Sequence, residues 1–266
     1  MKVNSSHIKG GFCLNKAIIT GVSRGLGKSI AKLCLESRID VIGISRTQNE
    51  SLMNLAETNN TSFKHIRCDL GKESDTQNLS EQLERIIIEN EEPENVYLIN
   101  NAAVLQPINQ AQQINANELS YHIHVNTIAP IVIMNRMLDI CIRRNIPLIG
   151  VNITSGAADR AIYGWSAYCS TKASINMYTK TVALEQDELQ TGNKVIAFNP
   201  SIMDTDMQKT IRSSSPEAFK DVDVFKNYKQ NNLLQDSDIV AGVLFDLMTD
   251  KGRIENGNIY DVKDYF

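Results

Sequence analysis

Tyr168 and Lys172 are the pair best placed to do chemistry, because four residues apart in a stretch of helical spacing they share one helix face. A free tyrosine titrates near pH 10, and lowering that by about two units takes roughly 2.7 kcal/mol of preferential stabilisation of the phenolate. A cation about 4 Å away at an effective dielectric near 20 supplies up to a few kcal/mol. The pair therefore reads as a proton donor tuned toward neutral pH, although Tyr-x-x-x-Lys is also an ordinary helix-face spacing. Ser155 follows the strand-like Val151-Asn152-Ile153-Thr154. That places its hydroxyl at a strand's carboxyl end, able to hydrogen-bond a substrate oxygen as charge develops there. A third feature is Thr20-Gly21-Val22-Ser23-Arg24-Gly25-Leu26-Gly27, lying where a strand ends and a helix begins. Glycines there turn the chain sharply and let backbone amides approach a pyrophosphate. The spacing is Gly-x-x-x-Gly-x-Gly, which differs from the Gly-x-Gly-x-x-Gly of most dinucleotide folds.

The elements that must hold these residues follow from hydrophobic period. Residues 16–20 and 40–45 are apolar runs of strand length, and 25–37 between them carries Leu26, Ile30, Leu33 and Cys34 at helical spacing. The alternation continues with a strand at 62–68, a helix at 74–88, a strand at 95–100 and a long helix at 118–144. A strand at 148–154, a helix at 166–189, a strand at 195–199 and a last strand at 257–261 complete it. Such alternation predicts an α/β fold with a doubly wound, mainly parallel sheet of about seven strands and helices on both faces, a three-layer arrangement. No linker divides the chain, so 15–266 reads as a single domain. The least regular stretch, 202–228, contains Ser213, Ser214, Ser215 and Pro216 and is read as either a substrate lid or a surface loop with small helices.

Lys and Arg number 27 and Asp and Glu 31, a net charge of −4, so no broad basic surface is on offer to nucleic acid or acidic lipid. Hydrophobic residues at 42% and charged ones at 22% are ordinary for a folded globular chain. The longest unbroken apolar stretch, 128–134, falls far short of the roughly 20 residues of a membrane span, and none is expected. Residues 1–7 are polar and lack a secretory apolar core, and 1–14 read as a loose leader, which leads to an expected cytoplasmic location. The 5 cysteines, Cys13, Cys34, Cys68, Cys141 and Cys169, are odd in number and scattered, so reduced thiols are expected. His122 and His124 form the only close histidine pair and lack nearby cysteine ligands, so no metal site is expected.

Five motifs, in order, resemble those of the short-chain dehydrogenase/reductase family. They are the 20–27 turn, Asn100-Asn101-Ala102-Ala103, Asn126, Ser155, and Tyr168-Cys169-Ser170-Thr171-Lys172. The resemblance runs over about 15–266 and implies a Rossmann-like fold binding NAD or NADP. It implies cofactor contacts at Gly21, Ser23, Arg24, Gly25, Leu26, Gly27, Asn101 and Ala102, and at Asp69 and Leu70 beside the adenine, although Asp69 could equally cap a turn. It also implies a catalytic tetrad of Asn126, Ser155, Tyr168 and Lys172. In it Lys172 binds the nicotinamide ribose as well, and Asn126 anchors a water that links the lysine to solvent. Asn199-Pro200-Ser201-Ile202-Met203-Asp204-Thr205 resembles the family's Pro-Gly-x-x-x-Thr segment, in which Pro200, the Ile202 backbone and the Thr205 hydroxyl would hold the carboxamide. Ser201 and Ala103 stand where the family usually carries glycine, and either could narrow the cleft.

The second strand ends in Ile44-Ser45-Arg46, with Asp40 at its other end. An acid at the carboxyl end favours the ribose of NAD, whereas an arginine favours the 2′-phosphate, so Arg46, joined by Arg24, predicts NADP(H). Two longer strings, Ser155-Gly156-Ala157-Ala158 leading to Gly164-Trp165-Ser166-Ala167-Tyr168-Cys169, and Met203-Asp204-Thr205-Asp206-Met207-Gln208, look like those of the (S)-benzoin-forming benzil reductases within the family. They are similar also to the sepiapterin reductases. The implied activity is reduction of one carbonyl of a vicinal, small-molecule diketone such as benzil to the (S)-hydroxy ketone. The alternatives are a pterin diketone reductase, a 3-oxoacyl thioester reductase and a non-catalytic NADP-binding regulator. Trp165, Tyr163 and Met207 would give an aromatic ketone flat apolar walls, or Trp165 packs as a helix cap. Asp261 falls where sepiapterin reductases anchor the pterin, and reads otherwise as an exposed strand-end acid. The family also implies a homodimer or homotetramer built on the helices 118–144 and 166–189.

Overall fold

Strand β1 (Asn15–Thr20) is buried at every position after the first, as a strand covered on both faces must be. It pairs in parallel with β2 (Asp40–Ser45) on one side and β4 (Asn95–Asn100) on the other, Ile18 standing opposite Ile42 and Leu98. With β3 (Phe63–Arg67), β5 (Leu148–Ile153), β6 (Lys194–Asn199) and β7 (Ile259–Asp261) the sheet runs β3-β2-β1-β4-β5-β6-β7, every pair parallel. Strand order reverses between β1 and β4, and the crevice at their carboxyl ends is where such sheets bind ligands. The computed structural model describes residues 15–89 and 92–266; the expected leader 1–14, with Cys13, lies outside them.

One face is covered by α1 (Gly25–Glu36), α2 (Glu50–Asn59) and α9 (Ser237–Thr249), whose buried residues cluster with Ala17, Ile19 and Tyr97 of the sheet. The other carries α3 (Glu73–Ile87), α5 (Ala129–Arg144) and α6 (Ser166–Glu188), packed on Ile18, Val96 and Leu98. This is the Rossmann-like α/β/α arrangement. Neither α2 nor α9 is read from the sequence above. Helix α2 buries only Leu52 and Ala56 and leaves a weak period. Helix α9 buries Val240, Ala241, Leu244, Leu247 and Met248 behind an Asp236 cap, a signal that could have found it.

The long helix begins earlier than residue 118, because the Asn115 side chain caps α4 (Ala116–Ile123) by accepting from Asn117 N. It then widens into a π turn, His124–Ile128, before α5. Pro130 has no N–H to donate four residues back to Asn126, and the α-helical ladder is interrupted at that point. By length and composition the run Ala116–Arg144 could cross a membrane, with a window of mean hydropathy 1.4; yet 56% of that window is buried within the fold.

Residues 202–228 carry two short helices. Around α7 (Asp206–Arg212) and α8 (Val222–Gln230), Phe219 and Val222 are wholly buried and cluster with Leu105, Trp165 and Tyr168. Gly164, at φ +83°, makes this close packing possible, since a Cβ there would meet the Ala218 carbonyl oxygen at 2.0 Å. Cys34, Cys68 and Cys141 are free and buried, and Cys169 is free and half-buried.

Candidate active site

A cleft of about 1900 Å³ opens over the carboxyl ends of the strands, walled by the 20–27 turn, the segments after β2, β3, β4, β5 and β6, and the 202–228 cap. At one end the chain leaves β1 through Gly21, at φ +76°, and enters α1. A Cβ on Gly21 would meet Asn101 Nδ2 at 2.8 Å, and one on Gly27 would meet both that atom and the Gly21 carbonyl oxygen at 2.4 Å. Asn101 is thus a clamp for the turn, donating from Nδ2 to the carbonyls of Thr20 (2.8 Å) and Gly21 (3.3 Å). Thr20 Oγ1 in turn accepts from the amides of Asn101 and Ala102. Gly27 lies beneath the turn and is not part of the cleft wall. Helix α1 has no side-chain cap and no acid in its first turn, so its amides face the cleft free for an anion. This cradle fits the pyrophosphate of a dinucleotide.

The wall after β2 and β3, where the sequence reading puts the adenosine, is built by Arg46, Asp69 and Tyr121. Asp69 Oδ1 accepts from Gly71 N and from Tyr121 Oη at 3.0 Å, and Tyr121 Oη accepts from Arg46 Nη1 at 3.3 Å. Asp69 therefore both lines the cleft and caps a turn. Ser45 lines the cleft, but its hydroxyl donates to the Thr47 carbonyl (2.7 Å) and lies 3.0 Å from His65 Nε2. Arg24 and Arg46, expected to hold a phosphate together, both line the cleft. Arg24 Nη1 lies 2.9 Å from Asp206 Oδ2, because the first turn of α7 faces the glycine turn. Both partners are well exposed, so this bond contributes at most about 1 kcal/mol and exchanges easily for a phosphate.

At the other end, α6 brings Tyr168 and Lys172 into the wall, both at least nine-tenths buried. Ser155, two residues beyond β5, lies in the wall with Tyr168, and Ser155 Oγ accepts from Ala157 N. Lys172 Nζ donates to the Ile153 carbonyl at 2.8 Å and stands 5.7 Å from the centre of the Tyr168 ring. The expected lowering of the tyrosine by the lysine is not found here. Burial pushes the phenol up to about 12, opposed by the nearby Ser155 hydroxyl, and pushes Lys172 down to about 8. Asn126 sits behind this wall, not in it: its Oδ1 accepts from Val104 N (2.8 Å) and its Nδ2 donates to Val104 O (2.7 Å).

Ser23, Gly25, Leu26, Leu70, Ala102, Pro200, Ile202 and Thr205 all line the cleft as expected, as do Ala103 and Ser201. Ser201 adopts φ +58°, a left-handed conformation better suited to glycine. Trp165 and Met207 also line it. Trp165 is 4% exposed, stacked on Phe219 at 4.8 Å and edge-on to Tyr168 at 5.4 Å, so it is both wall and packing residue at the start of α6. Tyr163 corrects the expectation of an aromatic wall residue. It turns away from the cleft, 43% exposed, with the Lys220 ammonium 5.6 Å over its ring. Asp261 reaches the cleft, but both its oxygens are engaged, by Asn199 Nδ2 at 2.7 Å and Lys263 N at 2.9 Å. Sequence reasoning missed Tyr121 and took His122 as an ordinary helix residue; its spacing of four from Asn126 was the available signal. Among the described residues, no three His, Cys, Asp or Glu side chains group as a metal site.

Fold, cradle and Ser-Tyr-Lys wall together define a nicotinamide-dependent oxidoreductase, and the chain belongs to the short-chain dehydrogenases, whose family model matches residues 15–216. Within that family it is similar to a benzil reductase ((S)-benzoin forming) of Bacillus subtilis, 35% identical over 93% of this chain and 98% of that protein. A benzil reductase ((S)-benzoin forming) of Bacillus cereus is 34% identical over 87% and 92% of the two chains. The crystal structure of a short-chain dehydrogenase/reductase from Saccharomyces cerevisiae superposes with a TM-score of 0.77 at 27% identity, covering 93% of this chain and 95% of that one.

Proposed function

We propose that this chain is an NADPH-dependent carbonyl reductase that converts one carbonyl of a vicinal, aromatic diketone such as benzil to the (S)-hydroxy ketone. The observation that carries the reading is that Ser155, Tyr168 and Lys172 meet in one wall of the cleft, with Lys172 Nζ 5.7 Å from the Tyr168 ring centre. Similarity to two benzil reductases supports the substrate class. Arg46 in the cleft wall after β2, with no acid at that strand's end, supports the 2′-phosphate of NADPH.

Bound NADPH supplies the hydride that adds to one carbonyl carbon. The oxygen of that carbonyl takes the Tyr168 proton, so the negative charge never stands free. Ser155 donates to the same oxygen and holds it against the phenol. Lys172, fixed by the Ile153 carbonyl, offsets the phenolate left behind until a solvent proton restores it. Trp165, Leu105 and Met207 give the flat apolar surface that an aryl group needs. Asp261 in the cleft wall favours, as a second reading, a pterin diketone. In this proposal the protein works in the cytoplasm as a homodimer or homotetramer; the outer face of α6, where Met177 and Leu184 are 64% and 61% exposed, supports the assembly.

Initial rates with benzil, sepiapterin and a simple aromatic mono-ketone, each with NADPH and with NADH, test the reading. Turnover of benzil with a strong NADPH preference is expected. NADPH binding without turnover of any of the three rejects the substrate class.

A further inference from the structure

Directly behind the catalytic wall lies a side chain that the mechanism above does not use. His122 is wholly buried on α4, four residues before Asn126, and it touches three separate parts of the site. Its Nδ1 is 2.7 Å from the Gln106 carbonyl, its Nε2 is 3.0 Å from Asn126 Nδ2, and the same Nε2 is 3.1 Å from Thr171 Oγ1. Thr171 precedes Lys172 and donates to the Tyr168 carbonyl at 3.0 Å. The His122 ring also meets the Tyr168 ring edge-on at 6.2 Å.

Three backbone groups fix the protons of the Asn126 amide and of the Nδ1 end of the ring, while the single Thr171 hydroxyl proton serves either the Tyr168 carbonyl or His122 Nε2. Val104 N–H can only donate and Val104 C=O can only accept, so Asn126 must present Oδ1 to the first and Nδ2 to the second. The second Nδ2 hydrogen then points at His122 Nε2, which must be a bare acceptor. Gln106 C=O can only accept, so His122 Nδ1 must carry the proton. An imidazolium would set an Nε2–H against the Asn126 N–H and lose that bond, leaving Thr171 Oγ1 as the one acceptor for Nε2–H. The titratable groups facing the ring are Tyr168 and Lys172, both from α6; burial chiefly holds the imidazole below its ordinary value, opposed by the backbone carbonyls of Gln106 and Ala167 and aided by the Lys172 charge.

We propose that His122, as the neutral Nδ1–H tautomer, is a positioning residue that sets the Asn126 amide and ties the Val104–Gln106 wall to the helix carrying Tyr168 and Lys172. The effect on turnover rests on the carbonyl-reductase reading; the tautomer does not. Loosening this buttress displaces the proton donor from the wall against which the substrate lies, and misplacement of reacting groups by about 1 Å costs on the order of 100-fold in rate.

Nitrogen NMR of the histidine rings in the whole protein, from about pH 5 to 8, reads the tautomer without any turnover. A His122 protonated at Nδ1 alone, with no titration near the ordinary value of about 6.5, is expected. An Nε2–H tautomer, or a ring that titrates near 6.5, overturns the proposal. With NADPH and benzil, His122→Leu should lower kcat at least about tenfold while changing the NADPH KM by less than about twofold. His122→Gln, whose side-chain oxygen can stand in for Nε2 as acceptor to Asn126, should recover most of that kcat; His122→Asn, which retains only the donor to Gln106, should not. Equal losses in the Gln and Leu variants overturn it. Should His122→Leu fail to fold, the Gln and Asn pair and the NMR still decide. A wild-type protein that binds NADPH yet leaves benzil untouched defeats the substrate reading alone, and the NMR result still stands for or against His122.

Discussion

Replacing Lys172 by methionine should abolish the pH dependence of stability that this one buried ammonium imposes. Burial lowers Lys172 from an ordinary 10.5 to about 8, whereas in the unfolded chain it recovers its usual value. A depressed folded pKa means that the unfolded chain holds a proton the folded one has released between those two values. Stability therefore rises with pH from about 8 to about 10.5, and is lost again as pH falls through 8. At about 1.36 kcal/mol per pH unit the full span is worth on the order of 3 kcal/mol. Methionine has the length of the aliphatic stem and no charge, though it leaves the Ile153 carbonyl without its 2.8 Å donor, a cost of about 1–3 kcal/mol. That cost is the same at every pH and cancels when each protein is compared with itself. Urea unfolding at about pH 7.5 and pH 10 should show the wild type gaining up to about 3 kcal/mol relative to Lys172→Met, a midpoint change on the order of 1 M. The upper limit matters, because Tyr168, raised to about 12, stabilises below the free tyrosine value and loses that contribution as pH climbs through 12. Parallel pH curves for the two proteins would refute the claim that Lys172 is held charged at a desolvation cost.

Tyr168→Phe should leave NADPH binding near wild type while lowering kcat by about 10²–10⁴-fold, as measured by fluorescence titration and initial rates; a small loss would mean another group protonates the substrate. Arg46→Ala removes the guanidinium after β2 and should cut the NADPH over NADH preference by about 10–100-fold in kcat/KM, with NADH itself little affected. Gly27→Ala forces a methyl to within 2.4 Å of the Gly21 carbonyl and of Asn101 Nδ2. Thermal unfolding should show a loss of about 1–3 kcal/mol, and calorimetry a weakened affinity for NADPH.

Most of the sheet could be read from period alone, since β1, β2, β4 and β5 are short apolar runs bounded by turns and buried along nearly their whole length. The glycine turn and the Tyr168–Lys172 face were legible for the same reason: both are local, and local spacing maps onto geometry. Contacts between distant segments were not. Arg24 and Asp206 are separated by most of the chain, and nothing in either neighbourhood announces the ion pair that the packing of α7 against the turn creates. Tyr163 stands two residues from Trp165, yet the left-handed Gly164 between them sends one side chain out and the other in. Asn126 matched a motif position, but its bonds to Val104 and His122 depend on the segment after β4 folding back onto a helix 22 residues later.

Trp165 is the only tryptophan of the chain. Stacked on Phe219 of the cap, edge-on to Tyr168 and almost completely shielded from water, it makes the protein's intrinsic fluorescence a single-site optical gauge. Emission from a chain with several indoles averages over the whole molecule. Here every change in wavelength or quenching comes from the seam where the cap meets α6, so one unlabelled protein can report cap separation, ligand entry and global unfolding as distinct spectral events.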